Sequence, residues 1–186
     1  MGYHTFDATK ADRLEDAASR YRFVSREELL GALAPDAGDV VADLGSGTGF
    51  YTDDVAPHVG TVHAVDVQPA MHEIYREKGV PANVELVTSD VADLPVADDA
   101  LDGAFSTMTY HEFASDAALA ELARVVRTDG RVVVADWSAD GDGEHGPPTD
   151  ERFAAEDAVA AFEAAGFGVE RAATRPETFV VVATAP

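Results

Sequence analysis

The sequence contains no cysteine, and only two of its 186 residues are lysines, Lys10 and Lys78. The absence of cysteine excludes disulfide bonds, thiolate metal sites and a cysteine nucleophile. No apolar run approaches the ~20 residues that a membrane-spanning helix needs, and the first residues lack the apolar centre of a secretory signal. We therefore expect a cytoplasmic protein that does not enter a membrane.

Positive charge is scarce as well. The chain carries 35 acidic and 13 basic side chains, which gives a formal net charge of −22. Because the acids are spread along the whole chain, they predict a solvated acidic shell of the halophilic type rather than a surface for one cationic partner. No basic stripe is available to neutralise phosphates, so we expect no nucleic-acid partner.

Short β-type segments alternate with helical segments along most of the chain. This alternation predicts an α/β fold in which helices cover both faces of a mostly parallel sheet. The predicted strands are Val40–Asp43, Thr61–Asp66, Val84–Ser89, Leu101–Thr107 and Arg131–Trp137. The predicted helices between and after them are Phe50–His58, Pro69–Lys78, Ser115–Arg127 and Thr149–Ala165.

The last part of the chain breaks the alternation. Gly168–Thr174 and Glu177–Thr184 are two β-type runs joined by a link too short for a helix, so they predict an antiparallel hairpin. The fold class that results is a Rossmann-like, doubly wound α/β sheet of seven strands, mostly parallel and ending in this hairpin.

The residues before the sheet predict two helices, Asp7–Tyr21 and Ser25–Leu33. In the second, Ser25 and Glu28 have the spacing of a capping box. The length suits one domain, residues 1–186, with a helical cap at 1–35 and the core at 36–186. The cap is expected either to lie across the mouth of the sheet or to cover the core as a purely structural element.

The most distinctive stretch is VVADLGSGTGF, which ends the first strand and opens the next helix. A Walker loop needs a lysine after its last glycine, and Phe50 stands there instead. A dinucleotide fingerprint needs a third glycine five residues after the first, whereas Gly49 comes four residues after Gly45. A triphosphate site is therefore excluded, and a nicotinamide site is an imperfect match.

The spacing of Asp43, Gly45, Gly47 and Gly49 resembles motif I of the class I S-adenosylmethionine-dependent methyltransferases. The later segments LDGAFSTMTYHEF and RVVRTDGRVVVADW, and the terminal hairpin, are similar to later parts of that family. The resemblance implies S-adenosylmethionine as the cofactor. It also implies that Asp66 binds the ribose hydroxyls, that an acid at Asp90 lies near the adenine amino group, and that Val91 flanks the adenine.

The cofactor-binding residues implied by this resemblance are Asp43, Gly45, Ser46, Gly47, Gly49, Asp66, Val67, Met71, Asp90, Val91 and Thr107. Asp93 could take the place of Asp90. Glycines allow the backbone to approach a nucleoside closely, and the helix N-terminus after Gly49 can favour a carboxylate. We expect Asp43 to help hold the ammonium group of the cofactor through the loop or a water.

The methyl acceptor is expected at the carboxyl end of the fourth strand, over Thr107–Phe113. Within it, His111 is the candidate catalytic base because its reference pKa suits proton removal near neutrality. The segment Ser138–Asp150 is rich in glycine and proline and is expected to act as a lid. No metal is predicted, since a set of His145 with His111, Glu112 or Asp136 is too unspecific.

Trp137, Gly146, Pro147, Pro148 and Phe153 are similar to residues of small members near the quinone-biosynthesis methyltransferases, which does not name the acceptor. The sequence thus predicts a methyltransferase that acts on a small-molecule acceptor by in-line transfer. Two alternatives stay open: a nicotinamide-dependent oxidoreductase, and a regulatory protein that binds S-adenosylmethionine without catalysis. No oligomeric state is predicted.

Overall fold

A computed structural model describes residues 6–186 of the chain. Its centre is one seven-stranded sheet in the order β3-β2-β1-β4-β5-β7-β6. Strands β1 to β5 are parallel, and β7 lies antiparallel between β5 and β6. The predicted fold class, with its terminal hairpin, is confirmed. The strands are Val40–Leu44, Thr61–Asp66, Val84–Thr88, Leu101–Thr107, Val126–Trp137, Gly168–Thr174 and Thr178–Thr184, numbered β1 to β7.

Seven α-helices accompany the sheet within the described part of the chain. They are Ala17–Phe23, Arg26–Leu33, Phe50–Val55, Pro69–Lys78, Tyr110–Phe113, Asp116–Val125 and Ala155–Ala164, numbered α1 to α7. Three 3₁₀ helices cover Ala8–Glu15, Ala56–His58 and Thr149–Glu151. No helix between residues 6 and 186 is both long and apolar enough to cross a membrane.

The apolar core lies on both faces of the sheet. In β5, Val132 and Val134 face one core cluster, whereas Val133 and Ala135 face the other. Side chains alternate along a strand, so a strand covered on both faces must be apolar at every position. Helices α2, α3 and α4 contribute to one cluster, and α5, α6 and α7 contribute to the other. The prediction of helices on both faces is therefore confirmed.

Several predicted helix starts are confirmed by their caps. The Ser115 hydroxyl accepts a hydrogen bond from the backbone N–H of Ala118 at 3.2 Å, and Ser25 does the same for Glu28 at 3.1 Å. These bonds satisfy N–H groups that the first helical turn leaves free. The Glu28 carboxylate pairs with Arg175 of the β6–β7 hairpin, so it ties α2 to the far end of the chain.

The predicted helix Asp7–Tyr21 is wrong as one element. A 3₁₀ helix ends at Glu15, Asp16 has extended backbone at φ −75° and ψ 92°, and α1 then begins. The Asp16 carboxylate accepts a hydrogen bond from the backbone N–H of Ser19, so this residue stops one helix and caps the next. Residues 1–5 of the predicted cap lie outside the described residues.

The predicted helix Thr149–Ala165 is also divided. Only Thr149–Glu151 is helical before Arg152, whose extended backbone has φ −102° and ψ 164°, and α7 starts at Ala155. The Arg152 side chain is buried and bonds loop carbonyls, a role incompatible with the exposed first turn of a helix. Strand β5 begins at Val126, five residues before its predicted start at Arg131.

Candidate cofactor site

A pocket opens at the carboxyl ends of β1, β2, β3 and β4. Strand order reverses between β1 and β4, and such a switch point is where ligands of open α/β sheets bind. The loops after these strands form its walls, and residues from the N-terminal segment cover it. The lining residues are Phe6, Leu14, Arg20, Gly45, Ser46, Gly47, Thr48, Phe50, Val65, Asp66, Val67, Gln68, Met71, Ser89, Asp90, Val91, Thr107, Met108, Thr109, Glu112 and Phe113.

The loop after β1 needs glycine because its backbone has positive φ and because a Cβ would clash with neighbouring side chains. Gly45, Gly47 and Gly49 all have positive φ, between +55° and +80°. A Cβ at Gly45 would lie 2.2 Å from Thr109, and one at Gly49 would lie 2.1 Å from the Tyr75 ring. Gly45 and Gly47 line the pocket, whereas Gly49 lies outside the lining and packs under α4. Gly49 thus has a structural role that the sequence pattern did not separate from ligand contact.

Asp66 ends β2 and connects two walls of the pocket. One carboxylate oxygen accepts a hydrogen bond from the Gly47 N–H, and the other accepts one from the Gln68 N–H, both at 2.8 Å. Burial raises the pKa of Asp66 above its ordinary value, although these two bonds oppose the shift. Each carboxylate oxygen has a second lone pair, so Asp66 can still accept hydrogen bonds from a ligand.

Asp43 lies below the loop and does not line the pocket. One of its oxygens accepts a hydrogen bond from the Thr52 hydroxyl at 2.6 Å, and the other, Oδ1, has no partner in the described part of the chain. Burial raises the pKa of Asp43 to about 7 against the opposing effect of Thr52. Direct contact with a ligand is therefore not supported for Asp43, which leaves the predicted indirect route through the loop.

The predicted adenine end of the pocket lies between the loops after β2 and β3. Met71 and Val91 are buried there, while Val67 is half exposed at the rim. Asp90 lines this end, and its Oδ1 accepts a hydrogen bond from the Ala92 N–H at 2.9 Å. Asp93 is exposed and outside the lining, so the structure favours Asp90 over its neighbour.

The opposite wall follows β4 and contains Thr107, Met108, Thr109, Glu112 and Phe113. Met108 has φ +61°, an unusual backbone conformation for a residue with a side chain. Such outliers occur preferentially at functional sites, because the surrounding structure must hold them. Thr107, one of the predicted cofactor-binding residues, is part of this wall.

His111, the predicted base, lies outside this lining. Its ring Nδ1 is 3.0 Å from both carboxylate oxygens of Asp136, and its backbone N–H donates to the same carboxylate at 2.6 Å. Burial by itself disfavours the imidazolium, but Asp136, Glu112 and Glu151 outweigh it and raise the pKa of His111. The remaining ring nitrogen, Nε2, lies 3.9 Å from Glu112 Oε1.

Glu112 is the ionisable group that the acceptor side presents to the pocket. Burial, with the charges of Asp66 and Asp136, raises the pKa of Glu112 to about 7 although His111 opposes the shift. A carboxylate with such a pKa can gain or lose a proton near neutrality. Sequence analysis placed Glu112 in the expected acceptor segment and weighed it as a metal ligand, but it chose His111 as the base. Its position one turn after β4, next to His111, is the signal that could have marked it.

The N-terminal segment contributes lining residues that sequence reasoning missed. The Gln68 side-chain amide donates to the Phe6 carbonyl at 3.0 Å, and a Cβ at Gly47 would lie 3.3 Å from Leu14. Glu15 pairs with Lys78 of α4 at 3.1 Å. This segment therefore lies across the mouth of the sheet, as one of the two expectations for the cap proposed. Arg20 of α1 completes the cover.

The expected lid, residues 138–150, contributes nothing to the pocket lining. The buried Arg152 side chain donates to the carbonyls of Pro147, Ser138 and His145 and pairs with Glu177 at 3.3 Å. These contacts fix the loop, so the lid expectation is not supported. His145 lies beside Glu177, 3.6 Å between Nδ1 and Oε1, and not beside His111, Glu112 or Asp136.

Unpaired polar atoms test whether the pocket suits the cofactor that the resemblance implies. Three buried atoms around the glycine loop have no hydrogen-bond partner among residues 6–186: Arg20 Nε, Asp43 Oδ1 and Ser46 Oγ. Buried polar groups normally find partners, so such a group beside a pocket suggests a missing polar ligand. A ligand with hydroxyl, ammonium and carboxylate groups fits this donor and acceptor set.

Comparisons with known proteins agree with the geometry. A family model described as "Methyltransferase domain" matches residues 42–134, which is half of the chain. A solved structure of an S-adenosylmethionine-dependent methyltransferase from Aquifex aeolicus is 30% identical, with a TM-score of 0.88. The match covers 98% of this chain and 100% of the Aquifex chain.

Curated relatives match over shorter stretches. Demethylmenaquinone methyltransferase of Corynebacterium kroppenstedtii is 36% identical over 107 residues, 57% of this chain and 45% of that protein. Malonyl-[acyl-carrier protein] O-methyltransferase of Serratia marcescens is 32% identical over 126 residues, 67% of this chain and 48% of that protein. The chain therefore spans about half the length of the curated relatives it matches.

Proposed function

Because the chain belongs to the S-adenosylmethionine-dependent methyltransferase family, we propose that it transfers the methyl group of this cofactor to a small-molecule acceptor. The observation that carries the proposal is the Asp66 carboxylate, which holds the Gly47 and Gln68 N–H groups and keeps free lone pairs toward the pocket. When bound, S-adenosylmethionine supplies a methyl group on a cationic sulfur, a good leaving group. Asp66 would accept hydrogen bonds from the ribose hydroxyls.

The remaining lining residues divide into two sets. Met71, Val91 and Val67 provide apolar surface at the end where Asp90 offers an acceptor for an amino group. Gly45, Ser46, Gly47 and Thr107 provide backbone and small side chains beside the opposite wall. An apolar pocket with a few placed polar groups is typical of sites for small molecules.

A small acceptor is favoured by the cover over the pocket. Phe6, Leu14 and Arg20 narrow its mouth, and a net charge of −22 disfavours nucleic acids. The names of the relatives point to different acceptors, a demethylmenaquinone in one and a malonyl group on a carrier protein in the other. The acceptor class is therefore argued from the pocket and not from a relative.

We propose that Glu112, and not His111, accepts a proton from the acceptor. Glu112 lines the pocket, while His111 is held by Asp136 and faces the Glu112 carboxylate. His111 would then be a positioning residue that supports Glu112. General-base catalysis contributes about 10²- to 10⁴-fold, and positioning of the reactants contributes the rest.

Two measurements test the proposed function. Calorimetry with S-adenosylhomocysteine and with NAD separates a methyltransferase from the oxidoreductase alternative, since only the former is expected to bind S-adenosylhomocysteine at micromolar concentration. Transfer of a labelled methyl group to a metabolite pool separates an enzyme from a non-catalytic binding protein. Binding of NAD with no binding of S-adenosylhomocysteine would reject the proposal.

We also propose that the acidic shell adapts the protein to high salt. Salt screens repulsion between exposed like charges, with a Debye length of about 3 Å at 1 M. The melting temperature is therefore expected to rise between 0.1 M and 2 M KCl. Full activity and an unchanged melting temperature in dilute buffer would contradict this proposal.

A further inference from the structure

Arg20 differs from every other arginine of residues 6–186. Each of the others is either exposed or forms an ion pair with a described acid. Arg20 is mostly buried, forms no ion pair within that range, and its Nε has no hydrogen-bond partner. Asp43 and Glu15 attract Arg20 electrostatically, but neither forms an ion pair with it. A mostly buried guanidinium group without a hydrogen-bonded acid is costly, and a ligand carboxylate would complete it.

The guanidinium group lies at the glycine-loop end of the pocket. Its central carbon is 4.8 Å from the ring centroid of Tyr51 and 5.7 Å from that of Phe50, the first two residues of α3. These contacts between a cation and aromatic faces hold the side chain beside the loop after β1. Asp90 and Val91 follow β3, two strands away, which corresponds to about 10 Å across the sheet.

Positive and negative charges therefore lie at different ends of the pocket. Among the described residues, the other charged groups of its lining are the acids Asp66, Asp90 and Glu112, and Arg20 is the single basic one. A planar guanidinium group pairs best with a carboxylate, through two parallel hydrogen bonds. The end of the pocket beside the glycine loop is therefore suited to a carboxylate, while the far end is suited to hydroxyl and amino donors.

The geometry points to Arg20 as the group that binds the carboxylate of the cofactor's amino-acid end. This inference rests on the proposed function, since it requires S-adenosylmethionine in the pocket. The sequence had assigned that carboxylate to the helix N-terminus after Gly49, but α3 has only six residues and no side-chain cap. Arg20 comes from the N-terminal segment, which no glycine-loop motif includes.

The experiment compares two ligands that differ in the amino-acid end. S-adenosylhomocysteine carries the carboxylate, whereas 5′-methylthioadenosine keeps the adenosine and the sulfur but lacks the carboxylate. Calorimetry is carried out on the wild type, on Arg20→Met and on the matched control Arg22→Met. Arg22 is an exposed arginine of the same helix outside the pocket lining, so the control removes the same charge.

We expect Arg20→Met to weaken binding of S-adenosylhomocysteine by about 10- to 100-fold, the loss typical of a charged hydrogen-bonded partner. Binding of 5′-methylthioadenosine should change by less than about twofold, and Arg22→Met should leave both affinities unchanged. Arg20→Lys, which keeps the charge without the planar fork, should recover part of the loss. Equal losses for both ligands, or none for either, would overturn the assignment.

A comparison of two ligands on the wild-type protein provides a further test that needs no variant. Decarboxylated S-adenosylmethionine should bind about 10-fold or more weakly than S-adenosylmethionine, and equal affinities would also overturn the assignment. If Arg20 served an acidic acceptor instead, S-adenosylhomocysteine would bind Arg20→Met as well as the wild type. Failure of the wild type to bind any adenosine ligand would contradict the proposed function itself, a distinguishable result.

Discussion

Two regions of this molecule each contain a buried carboxylate and an arginine, but these groups pair with each other in only one of the two regions. In the first region, Glu177, which directly precedes β7, accepts hydrogen bonds from the backbone N–H groups of Gly143 and Glu144 in the loop after β5. It also pairs with Arg152. In the pocket, Asp66 likewise accepts two backbone N–H bonds, but no arginine completes it. Arg20 lies in the same pocket and forms no ion pair with any acid of residues 6–186.

The difference separates a structural charge from a binding charge. The Arg152–Glu177 pair, together with the loop carbonyls that Arg152 binds, is complete within the chain and fixes a loop. The pocket groups leave part of their hydrogen-bonding capacity open, which a polar ligand can satisfy. Burial alone would not tell these cases apart, because both Asp66 and Glu177 are buried. The two cases differ in whether the charged group finds all of its hydrogen-bond and ion-pair partners within the chain.

The largest effect is expected from breaking the structural pair. Arg152→Met leaves Glu177 buried without its cation and frees the loop carbonyls, so we expect the free energy of unfolding to fall by about 3–5 kcal/mol. Urea denaturation measures it. Arg171→Met, at an exposed arginine of β6, should change stability by less than about 0.5 kcal/mol. A small effect of Arg152→Met would refute the view that this pair holds the loop.

The next effect concerns the proton acceptor on the β4 side. Glu112→Gln should lower kcat by about 100-fold or more with little change in cofactor affinity. Because the pKa of Glu112 is raised to about 7, its carboxylate forms as pH rises through 7. The wild-type kcat/KM should therefore rise between pH 6 and pH 8 and then level off.

The control for Glu112 is its neighbour. His111→Gln should lower kcat less than Glu112→Gln and should shift the apparent pKa of the wild-type profile, because His111 favours the ionised form of Glu112. A larger loss from the His111 variant, with an unchanged profile in Glu112→Gln, would return the catalytic role to His111.

A smaller effect is expected when the pocket carboxylate is removed. Asp66→Asn should weaken binding of S-adenosylhomocysteine by about 10- to 100-fold, or ~1.5–3 kcal/mol, while the free energy of unfolding stays within about 1 kcal/mol of the wild type. Glu177→Gln should show the opposite pattern, with lost stability and unchanged binding. Undiminished binding by calorimetry would remove Asp66 from the site.

The smallest effect distinguishes two neighbouring acids. Asp90→Asn should weaken binding of 5′-methylthioadenosine by about 5- to 10-fold, the worth of roughly one hydrogen bond. Asp93→Asn should have no effect, because Asp93 is exposed and outside the pocket lining. Equal effects of the two variants would place neither residue at the adenine.

Much of the fold could be predicted because its signals are local. The predicted part of β5, Arg131–Trp137, reads as a near-continuous apolar run, and the short link at Arg175–Pro176 leaves room only for a hairpin. The errors fall at Asp16 and Arg152. Asp16 interrupts the first helical pattern because it caps the N–H of Ser19, a local signal that the prediction overlooked. Arg152 interrupts the second because its side chain binds distant loop carbonyls, which a local pattern cannot show.

The predicted site residues also fall into two groups, those that line the pocket and those that lie outside its lining. Gly45, Gly47, Asp66 and Asp90 follow strands whose carboxyl ends must meet at one edge of a parallel sheet, and the structure brings them together. Gly49 and Asp43 belong to the same motif but lie outside the pocket lining, because the motif also encodes the packing of its own loop. The roles of all six residues toward a ligand stay predictions.

The sequence alone determined the order of strands and helices, the hairpin and the glycine loop, since spacing, caps and apolar periodicity act over a few residues. The tertiary structure decided which charged side chains have their partners within the chain and which keep hydrogen-bonding capacity for a ligand. Arg152 pairs with Glu177 across 25 positions, whereas Arg20, beside the loop that follows β1, forms no ion pair with any acid of residues 6–186. Such pairing depends on distances through space between distant parts of the chain, which no local pattern of residues contains.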